Sequence, residues 1–251
     1  MLFGLPFARA VLDQVVSDLE AQIARARVGR YVVTLNIDIL LTARSDPEHW
    51  AACRAAHLIV ADGMPIVWAS RLLGVGLPSR IAGADLALAL VERAAARGHS
   101  VFLLGGRPEV GVRAATYLAK RWPALSIAGQ VSPPFGFEDD VEANQRVVAA
   151  IRSARPQLLL VAFGAPKQEK WLHRHLSDCN VPVGVGVGGT FDFWAGTVRR
   201  APRVLGSVGL EWLWRLAVEP RRLWRRYLIR DLGFVPLLLR ELLKRGRGRQ
   251  R

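Results

Sequence analysis

Cysteine is almost missing from this chain: Cys53 and Cys179 are the only two in 251 residues. They lie far apart and lack metal-ligand spacing, which excludes a disulfide framework or zinc module and makes a reduced, cytosolic setting the expectation. The first ten residues lack the basic start and long apolar centre of a secretory signal, so none is expected. Apolar runs of membrane-spanning length are missing too. Residues 181–198 are mostly uncharged but are broken by five glycines, Pro182 and Asp192, and residues 232–239 are too short and contain Pro236. No G-x-G-x-x-G occurs, which removes the dinucleotide fingerprint. Five histidines show no spacing with carboxylates or cysteines that suggests a metal site.

What is present is apolar and blockwise. Hydrophobic residues make up 51% of the chain, enough for a sizeable core and too many for a disordered one. The net charge of +14 is uneven. Residues 199–251 carry 15 Arg and Lys against four acids, a net of +11, which leaves +3 for the first 198 residues. A near-neutral body over 1–198 and a basic appendage over 199–251 are the expected units.

Within the body, apolar β-rich runs alternate with amphipathic segments. Strands are expected at Tyr31–Asn36, His57–Ala61, Ser100–Leu104, Ser126–Val131, Leu158–Phe163 and Val181–Val187, with helices between them. Gly98 reads as the stop of a helix running from Ala84 to Arg97. This pattern predicts an α/β fold: a Rossmann-like, mostly parallel sheet flanked by helices, followed by a short helical basic C-terminal appendage.

Open α/β sheets build sites at their strand ends, and five ends here carry polar residues or glycines. Asp62 follows an apolar strand and precedes Gly63; partial burial would suit it to general-base work, and a plain turn aspartate is the alternative. Gly105 and Gly106 join a strand to a helix, either as a phosphate-binding turn or as a tight turn. Gln168 can hydrogen-bond a sugar or phosphate, or cap a helix start. Gly189, Thr190 and Asp192 offer amides, a hydroxyl and a carboxylate that could read a nucleoside. Arg80 can neutralise a diphosphate or sit as a surface cation.

Taken in order, several stretches resemble the WecG/TagA/CpsF glycosyltransferase family. They are Thr34-Leu35-Asn36, Ala61-Asp62-Gly63-Met64-Pro65, Arg80 to Asp85, Leu104-Gly105-Gly106, Phe163 to Glu169, Gly186 to Pro202, Gly209 to Leu216 and Glu219 to Arg222. The resemblance runs from about Tyr31 to Tyr227, and the first thirty residues match nothing specific. It implies an inverting, metal-independent transfer, without a cofactor, from a UDP-sugar to a polyprenyl-diphosphate-linked sugar in cell-surface polysaccharide synthesis. It implies N-acetylmannosamine or its uronic acid as the donor sugar; an exopolysaccharide member using another UDP-hexose is the alternative. It makes Asp62 the base and maps Thr34, Asn36, Arg80 and Gln168 to the substrate cleft. The chain contains no D-x-D triplet, which fits a mechanism without a metal-bound diphosphate. A homo-oligomer is compatible with the resemblance.

The segment from Pro220 reads as an amphipathic helix with Leu223 and Trp224 on one side and arginines elsewhere. Trp224, Arg221, Arg222, Arg225 and Arg226 are the expected contacts with an anionic membrane surface, on the inner face of the cell membrane. A helix packed on the body with a solvated basic edge is the plainer reading. A nucleic-acid role competes on composition, with no recognised binding motif in its favour and its charge confined to one tail; a non-catalytic scaffold that binds UDP-sugar without transferring it is a third reading. At matched ionic strength the protein is expected to sediment with anionic liposomes and leave duplex DNA unbound. The reverse pattern sinks the membrane reading.

Overall fold

The computed structural model describes residues 1–25, 29–202, 205, 210–225 and 229–248. Six strands form one wholly parallel sheet in the order β2-β1-β6-β5-β3-β4. They are β1 (Arg30–Leu35), β2 (Leu58–Ala61), β3 (Ser100–Gly105), β4 (Ser126–Val131), β5 (Leu158–Ala162) and β6 (Val183–Gly186). The fold is α/β and Rossmann-like, as the alternating pattern predicts.

Each strand divides its side chains between two cores by simple alternation. Tyr31, Val33 and Leu35, Phe102 and Leu104, and Leu159 and Val161 face one core. Helices α2 (Ile37–Ser45), α3 (Pro47–Ala55), α4 (Met64–Leu72), α7 (Val141–Ala154) and α8 (Lys167–His175) cover that face. Val32, Val101, Leu103, Leu158, Leu160, Val183 and Val185 face the other. There α1 (Leu12–Ala24), α5 (Gly83–Arg97), α6 (Pro108–Arg121) and α9 (Thr190–Trp194) form the cover.

β6 is Val-Gly-Val-Gly, and its two glycines leave one face bare. A Cβ on Gly184 would stand 2.7 Å from Leu172 Cδ2, and one on Gly186 would stand 2.7 Å from Gln168 Nε2. Helix α8 therefore lies closer to the sheet than any side chain would permit.

Local signals set the helix ends. Gly98 closes α5 at φ 70°, in the left-handed region, as its position predicts. The Asn36 side chain caps α2 by accepting from Ile39 N, and Asp46 caps α3 with Pro47 in the first turn. Helix α2 was not expected from the sequence: Asn36, read there as the end of a strand, is the cap that starts it.

The opening residues are also more than a loose end. Leu2, Phe3 and Leu5 are buried, and Ala8 N donates to Ile59 O at 2.8 Å beside β2. Phe3 adopts φ 53°, a costly region for a bulky residue, with its ring buried 5.3 Å from that of Phe234.

The basic segment contributes α10 (Glu211–Val218), α11 (Pro220–Arg225), a 3-10 turn at Asp231–Gly233 and α12 (Phe234–Gly248). Leu223, Phe234 and Leu237 are buried. Arg230 Nη1 lies 2.6 Å from Asp38 Oδ1 on α2. Arg221, Trp224 and Arg225 are exposed, whereas the Arg222 side chain and all of Arg226, Tyr227 and Leu228 lie outside the described residues. Among the described residues no helix is long and apolar enough to cross a membrane.

Burial pushes the Cys53 thiol up to about 12, with the Glu169 charge adding to the effect. Burial, then Asp178, takes Cys179 to about 12 against a smaller opposing effect of Arg152. Both thiols stay protonated at pH 8, so they are expected to resist a thiolate-selective disulfide reagent in the native state and to react at once in denaturant. Rapid native labelling of either would contradict the packing described.

Candidate active site

Because every strand runs the same way, every carboxyl end opens on one edge. The order reverses between β1 and β6: the chain leaves β1 toward β2 but reaches β6 from β5 on the other side. A polar cleft of about 210 Å3 lies over these four ends.

Its residues come from the turns just past each strand. β1 supplies Thr34 and Asn36, and β2 supplies Asp62. The turn after β5 supplies Gly164 and Gln168, and the turn after β6 supplies Gly188, Gly189 and Thr190. Leu35 pairs with Ala61 in register, so Asn36 and Asp62 emerge at the same level on neighbouring strands. Asp62 N donates to Leu35 O at 2.9 Å, fixing that exit.

Asp62 is half-buried and faces the start of α5. Its Oδ2 accepts from Gly83 N at 3.3 Å, and the helix dipole there suits an anion. Gly83 also packs closely on β1: a Cβ there would stand 3.0 Å from Thr34 Oγ1. Thr34 is itself buried and donates to Gly186 O at 3.3 Å.

Gln168 is 3% exposed and is committed to the scaffold. Its Oε1 accepts from Gly164 N at 3.2 Å and Gly188 N at 3.0 Å, tying the turn after β5 to the turn after β6. Its Nε2 donates to Glu169 Oε1 at 2.8 Å. The other carboxylate oxygen of Glu169 lies 3.5 Å from His49 Nε2, with both side chains buried. Nothing in the sequence pattern pointed to this approach of His49 to Glu169, because His49 lies on α3, more than a hundred residues away.

Arg80 lies outside the cleft, in a neighbouring cavity of about 570 Å3. Glu211 lines both and forms a 2.5 Å ion pair with Arg80. Burial works against the Arg80 charge, but the Glu211 hydrogen bond and the charges of Glu211, Asp62 and Asp85 outweigh it, so its pKa is raised. Glu211 belongs to the basic appendage, so that segment reaches the cleft as well as the outer surface.

Besides Arg80, three residues expected at the site do not line the cleft. Gly105 ends β3 and Gly106 follows it, and the strand order places β3 beyond β5. At φ 104°, Gly105 permits a close approach instead: a Cβ there would meet Ala162 O at 2.8 Å. Asp192 Oδ1 accepts from Thr197 Oγ1 at 3.1 Å, bracing the turn after α9. A larger cavity of about 770 Å3, bounded by residues such as Asn144, Arg152 and His175, lies along α7 and α8 and includes no strand exit. Among the described residues no three His, Cys, Asp or Glu side chains converge as a metal site.

The family model described as "Glycosyl transferase WecG/TagA/CpsF family" matches residues 1–248, so it takes in the first thirty residues that the recognised stretches leave out. A protein of Bacillus spizizenii named N-acetylglucosaminyldiphosphoundecaprenol N-acetyl-beta-D-mannosaminyltransferase is 34% identical over 245 residues, covering 97% of this chain and 90% of its own. A Bacillus subtilis protein of the same name is 30% identical over 228 residues, covering 90% and 86%.

The two glycine sites give opposite expectations. Gly105→Ala should cost about 1–3 kcal/mol of stability, seen as a lower Tm, with little change in substrate affinity. Gly186→Ala forces a Cβ onto Gln168 and should disturb the cleft turns, impairing ligand binding even where the fold survives. Loss of substrate affinity in Gly105→Ala at an unchanged Tm would restore Gly105 as a ligand-binding residue.

Proposed function

Because the chain belongs to the WecG/TagA/CpsF glycosyltransferase family, we propose that it transfers N-acetylmannosamine or its uronic acid from a UDP-sugar to a sugar carried on polyprenyl diphosphate. The observation that carries this reading is Asp62, held by Leu35 and Gly83 at the rim of a cleft built from four strand exits. The names of the two Bacillus proteins support both the sugar and the lipid-linked acceptor.

The chemistry follows from this placement. The donor lies over the turns after β5 and β6, where Gly188 and Gly189 bring backbone close to the cavity. The acceptor hydroxyl meets Asp62 on the β2 side. Its proton passes to the Asp62 carboxylate as its oxygen bonds to the anomeric carbon. The bond from that carbon to the UDP oxygen breaks, and UDP leaves with the electron pair. Attack from the β2 side on a donor whose diphosphate lies toward β6 inverts the anomeric centre. Backbone amides of the turns after β5 and β6 carry the leaving-group charge without a metal ion. Thr34 and Asn36 orient the sugars between the two sides.

The membrane surface belongs to the same reading. Trp224, Arg221 and Arg225 are exposed on α11, and Val235, Leu239 and Leu243 form an exposed stripe along α12 at four-residue spacing. Apolar side chains beside so many cations suit an anionic lipid surface, with the protein on the inner face of the membrane.

Asp62→Asn keeps size and hydrogen-bonding capacity but removes the base. The rate of sugar transfer should fall by about 10²–10⁴-fold while UDP binding by calorimetry stays within a few-fold. Turnover near wild type would remove Asp62 from the reaction.

A further inference from the structure

The cavity beyond Arg80 has chemistry the donor cleft does not use. Its volume of about 570 Å3 is in the range of small-molecule sites. Three guanidinium-bearing residues, Arg71, Arg80 and Arg200, line it. Two are held in place by carboxylates: Arg80 by Glu211 at 2.5 Å and Arg200 by Asp85 at 2.7 Å. Arg71, in the last turn of α4, has no carboxylate partner among the described residues.

The wall of α4 changes character across its width. Met64, Val67 and Arg71 face the cavity. Trp68 and Leu72, one residue further round the helix from Val67 and Arg71, are 45% and 66% exposed. At four-residue spacing they form one apolar stripe beside the cationic cavity. A large apolar pair left in water beside a cluster of cations marks a surface for a ligand that is anionic at one end and apolar at the other.

Position adds to the argument. α4 begins two residues after Asp62, and the segment from Arg80 to Asp85 separates this cavity from the cleft. The cavity thus lies on the β2 side of the base, opposite the turns after β5 and β6.

Building on the transfer reading above, we infer that this cavity is the acceptor subsite. Arg71, Arg80 and Arg200 bind the diphosphate of the lipid-linked sugar, and the first prenyl units run along Trp68 and Leu72 on α4. The diphosphate displaces Glu211 and Asp85 from their arginines, which are already aimed into the cavity. The sugar then extends past Arg80 to present its hydroxyl to Asp62.

The test uses the full chain in detergent, so that bulk membrane docking does not contribute. Transfer is measured with two acceptors that share the same sugar diphosphate, one with an undecaprenyl tail and one with a butyl tail. Calorimetry with farnesyl diphosphate and with UDP gives a readout independent of turnover. Trp68→Ser/Leu72→Ser should raise KM for the undecaprenyl acceptor at least tenfold, leave the butyl acceptor and UDP unchanged, and abolish farnesyl diphosphate binding. Arg71→Gln should raise KM several-fold for both acceptors. If the double variant retains wild-type KM for the long acceptor and wild-type farnesyl diphosphate affinity, the subsite is overturned, including the case where activity falls only on vesicles. If wild type transfers no sugar but binds farnesyl diphosphate in a manner lost with Trp68 and Leu72, the transfer reading fails and the subsite stands.

Discussion

A sheet whose strands all run the same way delivers every exit to one edge, and helices must bury both of its faces. That constraint governs the rest of this molecule. It places Asn36, Asp62, Gly164 and Gly188 along one rim although up to 152 residues separate them in the chain. It also leaves those exits as turns without ladder partners, which something must hold. Gln168 does so at the β5 and β6 exits by accepting two turn amides with one oxygen, and the bare face of β6 admits it. The parallel sheet thus creates the rim, and the missing side chains of Gly184 and Gly186 let α8 fix its floor.

Much of this is legible in the sequence because it is local. Apolar runs with strand propensity, a glycine after α5 and polar residues at strand ends are each encoded within a few residues. Strand order is not encoded that way. Gly105-Gly106 and Gly188-Gly189 look alike as glycine pairs after apolar strands, yet β6 lies next to β1 and β3 lies beyond β5. One pair therefore lines the cleft and the other supports a backbone contact. Gln168 shows a second limit: its place in the cleft could be read, but not that its amide oxygen is taken up by Gly164 N and Gly188 N while its nitrogen donates to the adjacent Glu169. The bare face of β6 was visible as Val-Gly-Val-Gly, and alternation implies that one face lacks side chains. Helix α2 escaped because its nine residues mix β-branched with helix-favouring side chains, and the Asn36 cap decides between them.

The basic segment shows how one stretch divides its chemistry. Leu223, Phe234 and Leu237 turn inward, while Trp212, Trp224, Leu232 and Leu239 remain in solvent. Among the described residues three ion pairs tie it to the body at separate points: Glu211 with Arg80, Arg230 with Asp38, and Arg200 with Asp85. The cation comes from the body in the first pair and from the segment in the other two, so neither surface supplies all the cations. The +11 of the segment overstates what is free to meet an external anion.

The contact between Phe3 and Phe234 closes the chain on itself. A cut made near Arg199 to free the body from its basic segment would also take away the ring that covers Phe3. The left-handed turn at Phe3 and Gly4 would then have a solvent-facing aromatic with nothing to hold it. A fragment trimmed for solubility would carry a newly bared apolar patch beside β2, at the edge of the sheet, where chains most readily associate.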